Sequence, residues 1–148
     1  MTDRSFLNWP FFEQRHRDHA ERLEAWCQEN LPVDYSDIDA ACRKLVAMLG
    51  EAGFLKPTAV DPANPQSLDV RTLCITRETL ARHDGLADFA FAMQGLGTGA
   101  ISLFGTPEQK RWLDRTRAGT AIAAFALSEP RSGSDVANME MTATREGD

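Results

Sequence analysis

The chain has 148 residues, of which 43% are hydrophobic and 26% are charged, and its formal net charge is -6 at pH 7. This composition excludes disordered and fibrous proteins, and the length suffices for one domain with a core, or for one domain and the start of another. The acidic balance and the lack of a basic patch exclude a nucleic-acid-binding protein.

The apolar stretches and the cysteines bear on the compartment. No apolar run reaches the roughly 18 residues of a membrane span, and residues 1–18 lack the apolar centre of a signal peptide. Cys27, Cys42 and Cys74 are odd in number and widely spaced, which is typical of buried thiols and not of disulfides or a metal site. The sequence therefore predicts a cytoplasmic protein that is not inserted in a membrane.

Two helices are predicted in the first third of the chain. Pro10 opens the first, which runs to Asn30, because proline suits the first turn of a helix. Ser36 begins the second, Asp39 completes a variant capping box, and Gly53 is placed to end it. Apolar residues recur every three or four positions in both, so each helix is expected to bury one face.

A loop and a third helix are predicted next. Residues 55–69 contain three prolines and no periodic pattern, which is typical of a loop. The third helix follows over residues 70–85, with Gly85 closing it. Its expected buried side consists of Val70, Leu73, Cys74 and Leu80.

Two further helices are predicted before residue 118. Residues 86–105 are apolar on nearly all sides, which indicates a helix in the middle of a bundle. Thr106, Pro107 and Gln109 form a start signal, with a cap hydroxyl, a proline at the first position and a glutamine that reaches back. A short helix over residues 107–116 follows from that signal.

The pattern changes after residue 120. "AIAAFAL", residues 121–127, is short and apolar, as in a buried strand, and "MEMTATR", residues 139–145, alternates. Helices followed by strands indicate a helical domain and then the beginning of a β domain. The predicted fold class is mainly α, with a helical domain over residues 1–118 and an incomplete β domain over residues 119–148.

Three polar or glycine-rich features have structural explanations that are favoured over functional ones. "GLGTGA", residues 95–100, lacks the last glycine of a dinucleotide-binding loop and follows no strand, so its glycines are expected to allow close approach of another helix or a ligand. His16 and His19 share a helix face but lack a third ligand, so no metal site is predicted. His83 is expected to interact with the last carbonyls of its helix.

The stretch "FALSEPRSGSD", residues 125–135, has two interpretations from its residues alone. It is either a strand that ends in two turns, or a cradle in which small residues let a ligand approach the backbone. In the second case, hydroxyls and successive amides would supply hydrogen bonds or bind an anion. Residue chemistry does not decide between them.

A family resemblance favours the cradle. "ALSEPRSGSD", residues 126–135, resembles the first signature of the acyl-CoA dehydrogenase family, which commonly reads A-L-T-E-P-x-A-G-S-D. Residues 105–113, "GTPEQKRWL", resemble the family's helix upstream of that signature, one residue short. Residues 48–58 and 141–148 also resemble family segments. The family's "YGGxG" loop is missing, and the residues at Arg131, Ser132 and Asn138 differ, which favours a subfamily with an unusual acyl group.

The resemblance implies an FAD-dependent oxidoreductase that forms the α,β double bond of an acyl-CoA thioester. It implies that the second domain is β-barrel-like. Glu129 and Asp135 would fix the turn structurally, and Gly97 would line the acyl pocket. The implied cofactor-binding residues are Phe125, Ala126, Leu127 and Ser128 along the flavin, with the Ser128 hydroxyl near N5, Gly133 for close passage and Ser134 for phosphate. The implied substrate-binding residues are Ser134 and Met93.

The same resemblance has consequences for activity and partners. The family's catalytic base lies in a second helical domain, so no catalytic residue is assigned here, and these residues are expected to be an inactive amino-terminal portion. Electron-transfer flavoprotein or a similar acceptor and a homo-oligomer are implied as partners. Two alternatives stay open: a non-catalytic helical binding module derived from the family, and a related flavin oxidase.

Overall fold

The computed structural model describes residues 3–63 and 68–147. Within them the chain forms five α-helices: α1 (Gln14–Asn30), α2 (Ile38–Glu51), α3 (Val70–His83), α4 (Gly85–Phe104) and α5 (Pro107–Arg117). Short 3-10 turns lie at Ser5–Asn8, Lys56–Thr58 and Val136–Asn138. The helical bundle is therefore confirmed. No helix in the described ranges combines the length and the apolarity that a bilayer crossing needs.

Side chains at the helix starts satisfy amides that the helices themselves leave unpaired. The first helix begins at Gln14 and not near Pro10, because Glu13 and His16 form a capping box there. The second is capped by the Asp37 carboxylate and not by Ser36. The predicted box of Thr106 and Gln109 is confirmed at the start of α5.

Two predicted helix ends have different outcomes. Gly53 does end the second helix: its φ is 79°, and the amide of Phe54 donates to the carbonyl of Leu49 at 2.8 Å, as in a Schellman motif. Gly85, however, opens α4 and does not close α3. Asp84 causes this, because its carboxylate accepts hydrogen bonds from the first amides of α4.

The main core lies where α4 packs against α2 and α3, and where α1 packs against α3. The predicted buried side of α3 is confirmed at Leu80 and Leu73, but it is wrong at Val70, which is 63% exposed, and at Cys74, which is also exposed. That helix turns Ile75, Thr76 and Thr79 inward instead. The fully buried apolar residues of the main core are Leu23, Cys27, Leu45, Leu49, Leu55, Leu80 and Ala87.

Helix α4 is central, but the prediction that it is buried on nearly all sides is wrong. Phe104 is 86% exposed, and three other large apolar residues of this helix are exposed with it: Phe89, Leu96 and Leu103.

The two predicted strands form no sheet among the described residues. A single antiparallel bridge joins Glu129 to Ser132, and residues 121–128 and 139–147 run without strand pairing. A strand is stabilised by its neighbours, and two strands alone are marginal. The predicted start of a β domain is therefore not seen here as a sheet.

Candidate functional site

The segment after α5 is anchored by a turn that lies directly on α2. Gly119 has a φ of 72°, and a Cβ there would overlap the carbonyl of Val46. A Cβ at Gly50 would in turn overlap the carbonyl of Ala118. Backbone packs on backbone at this point, so only glycine fits at both positions.

A buried glutamine binds the segment immediately beyond that turn. Gln94 lies on α4 and is 1% exposed. Its Nε2 donates to the carbonyls of Ala121 at 3.0 Å and Thr116 at 3.3 Å, and its Oε1 accepts the amide of Ala123 at 2.6 Å. The Gln94 amide therefore connects α4, the last turn of α5 and the segment.

Gly97 lets the segment approach α4. A Cβ on Gly97 would lie 2.8 Å from the Cβ of Ala123 and from the backbone of Ala124. A Cβ on Gly95 would meet Thr58 at an ordinary 3.8 Å, and one on Gly99 would meet nothing within 4 Å. The close approach predicted for this glycine run is confirmed at Gly97, whose open side faces backbone of the same chain and not an acyl pocket.

Met93 borders an apolar cavity of about 150 Å³ between α2, α4 and the segment. Gln94 also lines the cavity, but its side-chain polar atoms are already hydrogen-bonded to the segment. Apart from these two residues, the lining consists of Cys42, Val46, Phe89, Ala90, Ile122 and Ala123.

Residues 125–128 form an open strip. Phe125 is 46% exposed, Ala126 and Ser128 are also exposed, and Leu127 is half-buried. No hydrogen bond joins the backbone of this strip to any part of the chain that the structure describes. Because the strip is mostly exposed, its amides and carbonyls are accessible to a ligand or to a neighbouring strand.

A tight turn follows the strip. The backbones of Glu129 and Ser132 exchange two hydrogen bonds, at 2.7 Å and 3.2 Å. The Glu129 carboxylate accepts the amides of Glu140 at 2.6 Å and Met141 at 2.8 Å. The prediction that Glu129 fixes this turn through backbone amides is confirmed.

The rest of the signature is mostly exposed. Ser132 is buried, and its hydroxyl donates to the carbonyl of Asp135. The Asp135 carboxylate accepts the side-chain amide of Asn138. Gly133 and Ser134 are exposed, and a Cβ on Gly133 would meet no atom within 4 Å. Unlike Gly97, Gly133 has no contact among the described residues that requires glycine.

The histidines and cysteines do not form a second site. The described residues include no group of three or more side chains suited to a metal ion. His16 accepts the amide of Glu13 at Nδ1, and His19 Nε2 lies 2.7 Å from the Thr76 hydroxyl. His83 Nε2 lies 2.9 Å from the Glu24 carboxylate. The prediction that His83 interacts with the last carbonyls of its helix is therefore wrong.

Cysteine environments differ more than the sequence suggests. Cys27 is buried, and burial raises the pKa of its thiol to about 12. Cys42 is half-buried, whereas Cys74 is exposed, so the expectation of three buried thiols is wrong for Cys74.

The strongest charge cluster lies away from the segment, where α1 meets α3. Burial alone would raise the pKa of Asp69, but hydrogen bonds from Thr72 and the charge of Arg15 hold it at about 2. The side-chain hydrogen bond from Arg15 likewise lowers the pKa of Glu13 to about 2. The Arg15–Asp69 and Arg71–Glu13 pairs join the starts of α1 and α3.

Comparison with known proteins identifies the family. The model of the acyl-CoA dehydrogenase N-terminal domain matches residues 13–120. The chain belongs to the acyl-CoA dehydrogenase family. The probable acyl-CoA dehydrogenase of Mycobacterium leprae is 30% identical over 139 residues, which are 91% of this chain and 36% of that protein.

Two mitochondrial relatives match shorter stretches. The short-chain specific acyl-CoA dehydrogenase of Bos taurus is 35% identical over 107 residues, 70% of this chain and 26% of its own length. The very long-chain specific enzyme of Rattus norvegicus is 44% identical over 68 residues, 45% of this chain and 10% of its own length. The chain therefore spans about a third or less of each of these family members.

Sequence reasoning did not find Gln94 or the glycine pair at 50 and 119. A signal for Gln94 is present, because it is an amide in an otherwise apolar stretch of α4, and a buried amide requires partners. The glycine pair has no such signal, since the two positions are far apart in the sequence and meet only after folding.

Proposed function

We propose that this chain is the amino-terminal portion of a flavin-dependent acyl-CoA dehydrogenase that removes hydrogen from the α and β carbons of an acyl-CoA thioester. The observation that carries the proposal is the open strip 125–128, which follows a tightly anchored turn and coincides with the family signature. We divide the chain into a helical domain, residues 1–118, and the start of a middle β domain, residues 119–148.

The residues of the strip fit a flat cofactor such as FAD. The backbone groups of residues 125–128 are exposed and unpaired within the described chain, so they can hydrogen-bond to a ligand. Packing among the described residues does not require glycine at position 133, and the free space around Gly133 leaves room for a ligand to pass close to the backbone. We assign residues 125–128, Gly133 and Ser134 to FAD binding, with the Ser134 hydroxyl as a hydrogen-bonding group for phosphate.

The chemistry that FAD supplies when bound is acceptance of the hydride from the β carbon. The chain's own part is to hold and orient. The strip presents backbone donors, and the turn closed by Glu129 fixes the end of the strip. Met93 and Ser134 are assigned to the acyl-CoA, Met93 on the evidence that it borders an apolar cavity.

The remaining assignments rest on family membership. The chain spans 36% of the mycobacterial relative, so we assign the base that takes the α proton to sequence outside these 148 residues. Electron-transfer flavoprotein or a similar acceptor, a homo-oligomeric assembly and a cytoplasmic location complete the proposal. The location is supported by three unpaired cysteines, which suit a reducing compartment.

The test uses the protein expressed from its complete gene. Gly133→Val has room in the structure and no positive φ to oppose it, so its thermal unfolding should match that of the wild type while its FAD content falls. Gly99→Val, also in open space, is the control and should keep FAD. Equal FAD content in both variants, or no FAD in the wild type, would overturn the assignment.

A further inference from the structure

The Gln94 side chain takes the place of a neighbouring strand at the start of the segment. It donates to the carbonyl of Ala121 and accepts from the amide of Ala123, the two groups on either side of Ile122. A neighbour in a parallel sheet makes this pair of bonds to the residues before and after the one it faces. One primary amide thereby supplies both bonds that the N–H and C=O of one residue in an adjacent parallel strand would supply.

The orientation of that amide is fixed by its partners. A carbonyl can only accept and a backbone amide can only donate, so Nε2 must face Ala121 and Thr116, and Oε1 must face Ala123. Both donors and the acceptor are used, and the side chain is 1% exposed.

Gln94 acts together with Gly97 at one place. The two residues are three apart on α4, so they lie on the same face. Gln94 holds residues 121–123 by hydrogen bonds, and Gly97 lets Ala123 and Ala124 rest on the helix. The strip 125–128 begins at the next residue, and its backbone makes no hydrogen bond within the described chain before the turn at Glu129.

From this geometry we infer that Gln94 is a positioning residue for the flavin-facing strip. It acts through residues 121–124 and does not touch the cofactor. This inference rests on the proposed function. Gln94 and the strip are about 30 residues apart in the sequence. They are connected only because α4 packs against the segment in the folded chain.

The matched control lies one turn further along α4. Thr98 is 2% exposed, and its hydroxyl lies 2.8 Å from the backbone carbonyl of Gln94 within α4 and 3.1 Å from the carbonyl of Thr58, neither of which belongs to the segment. Gln94→Leu and Thr98→Val each remove a buried polar group from the same helix. Both are expected to lower the melting temperature, because each leaves a buried carbonyl without its partner. Only Gln94→Leu should change amide exchange in the segment and the affinity for FAD.

The first measurement is amide hydrogen exchange in the full-length protein without cofactor. Gln94→Leu should speed exchange at Ala123 about tenfold or more, the change that follows from losing one buried hydrogen bond. The second is the FAD dissociation constant, which should rise about tenfold in Gln94→Leu and stay within about twofold of the wild type in Thr98→Val.

A third variant separates positioning from stability. Gln94→Glu keeps the acceptor for Ala123 but turns a carboxylate toward two carbonyls, and burial favours its protonated form. Protonation restores a donor. The loss of FAD affinity in Gln94→Glu should therefore shrink as the pH falls from about 8 to about 5.5, relative to Thr98→Val measured in parallel.

The outcomes distinguish the two levels of the account. A wild type that takes up no FAD would contradict the proposed function. The exchange experiment would still test whether Gln94 holds residues 121–123. A wild type that binds FAD, with Gln94→Leu and Thr98→Val binding it equally well, would overturn the role of Gln94. Equal affinity losses in Gln94→Glu at both pH values would overturn it as well.

Discussion

Phe91 and Phe125 have the same side chain but lie in two different regions of the molecule. Phe91 is 1% exposed in the helical core, whereas Phe125 is 46% exposed on the strip. The helices meet through interdigitating apolar side chains, and their ends are closed by caps. The segment after α5 is instead held by backbone contacts at three glycines and by two polar side chains, Gln94 and Glu129. The first region stabilises the fold, and the second keeps a surface available.

The largest expected difference between the regions comes from truncating these two rings. Phe91→Ala should lower the free energy of unfolding by about 3–5 kcal/mol, the usual cost of deleting a buried aromatic side chain. Phe125→Ala should cost about 1 kcal/mol or less, because much of its ring is already in water. Urea unfolding monitored by circular dichroism measures both. Similar losses in the two variants would contradict the division into core and strip.

The glycines of α4 provide the next contrast. Gly97→Ala should cost about 1–3 kcal/mol, because its Cβ would lie 2.8 Å from the segment backbone. Gly99→Ala has free space and should stabilise by about 0.5–1 kcal/mol, since alanine loses less backbone freedom on folding into a helix. Thermal unfolding of the two variants decides this, and the same sign for both would refute the close contact at Gly97.

Glu129 gives a local effect. Glu129→Gln should speed amide exchange at Glu140 and Met141 about tenfold, because each amide loses a charged acceptor. Glu140→Gln is the control, since the Glu140 carboxylate only meets Arg131 at 3.5 Å on the surface, where ion pairs contribute little. Unchanged exchange in Glu129→Gln would show that this carboxylate does not hold the segment.

The smallest effect concerns pH and the helical region. Burial lowers the pKa of His19, and the nearby Arg22 adds to this. The unfolded state therefore binds more protons than the folded state just below pH 6.5, and stability falls as the pH drops through that range. His19→Leu should flatten this slope in urea midpoints measured across the range. A slope in His19→Leu identical to that of the wild type would show that His19 does not cause this pH dependence.

Some elements of the fold could be predicted from the sequence, and others could not. Thr106 and Gln109 predict a helix start because both partners of a capping box lie within one turn. Gly53 predicts a helix end for the same local reason. Asp84, in contrast, serves two helices at once, and the pattern alone assigned the following Gly85 to the wrong one.

The candidate site shows the same limit. The signature over residues 126–135 identifies the family, because its residues are contiguous. Residues 121–127 read as a strand from their composition, yet the pairing that defines a strand depends on partners elsewhere. Gln94 supplies part of that pairing from a helix, and no local pattern predicts that a side chain will replace a strand.

We propose that the open strip belongs to a flavin site of an acyl-CoA dehydrogenase. The most direct test is the visible spectrum of the protein expressed from its complete gene, recorded before and after addition of a panel of acyl-CoA thioesters. We expect a yellow protein whose flavin absorbance bleaches with at least one of them. A colourless protein that takes up no added FAD would contradict it.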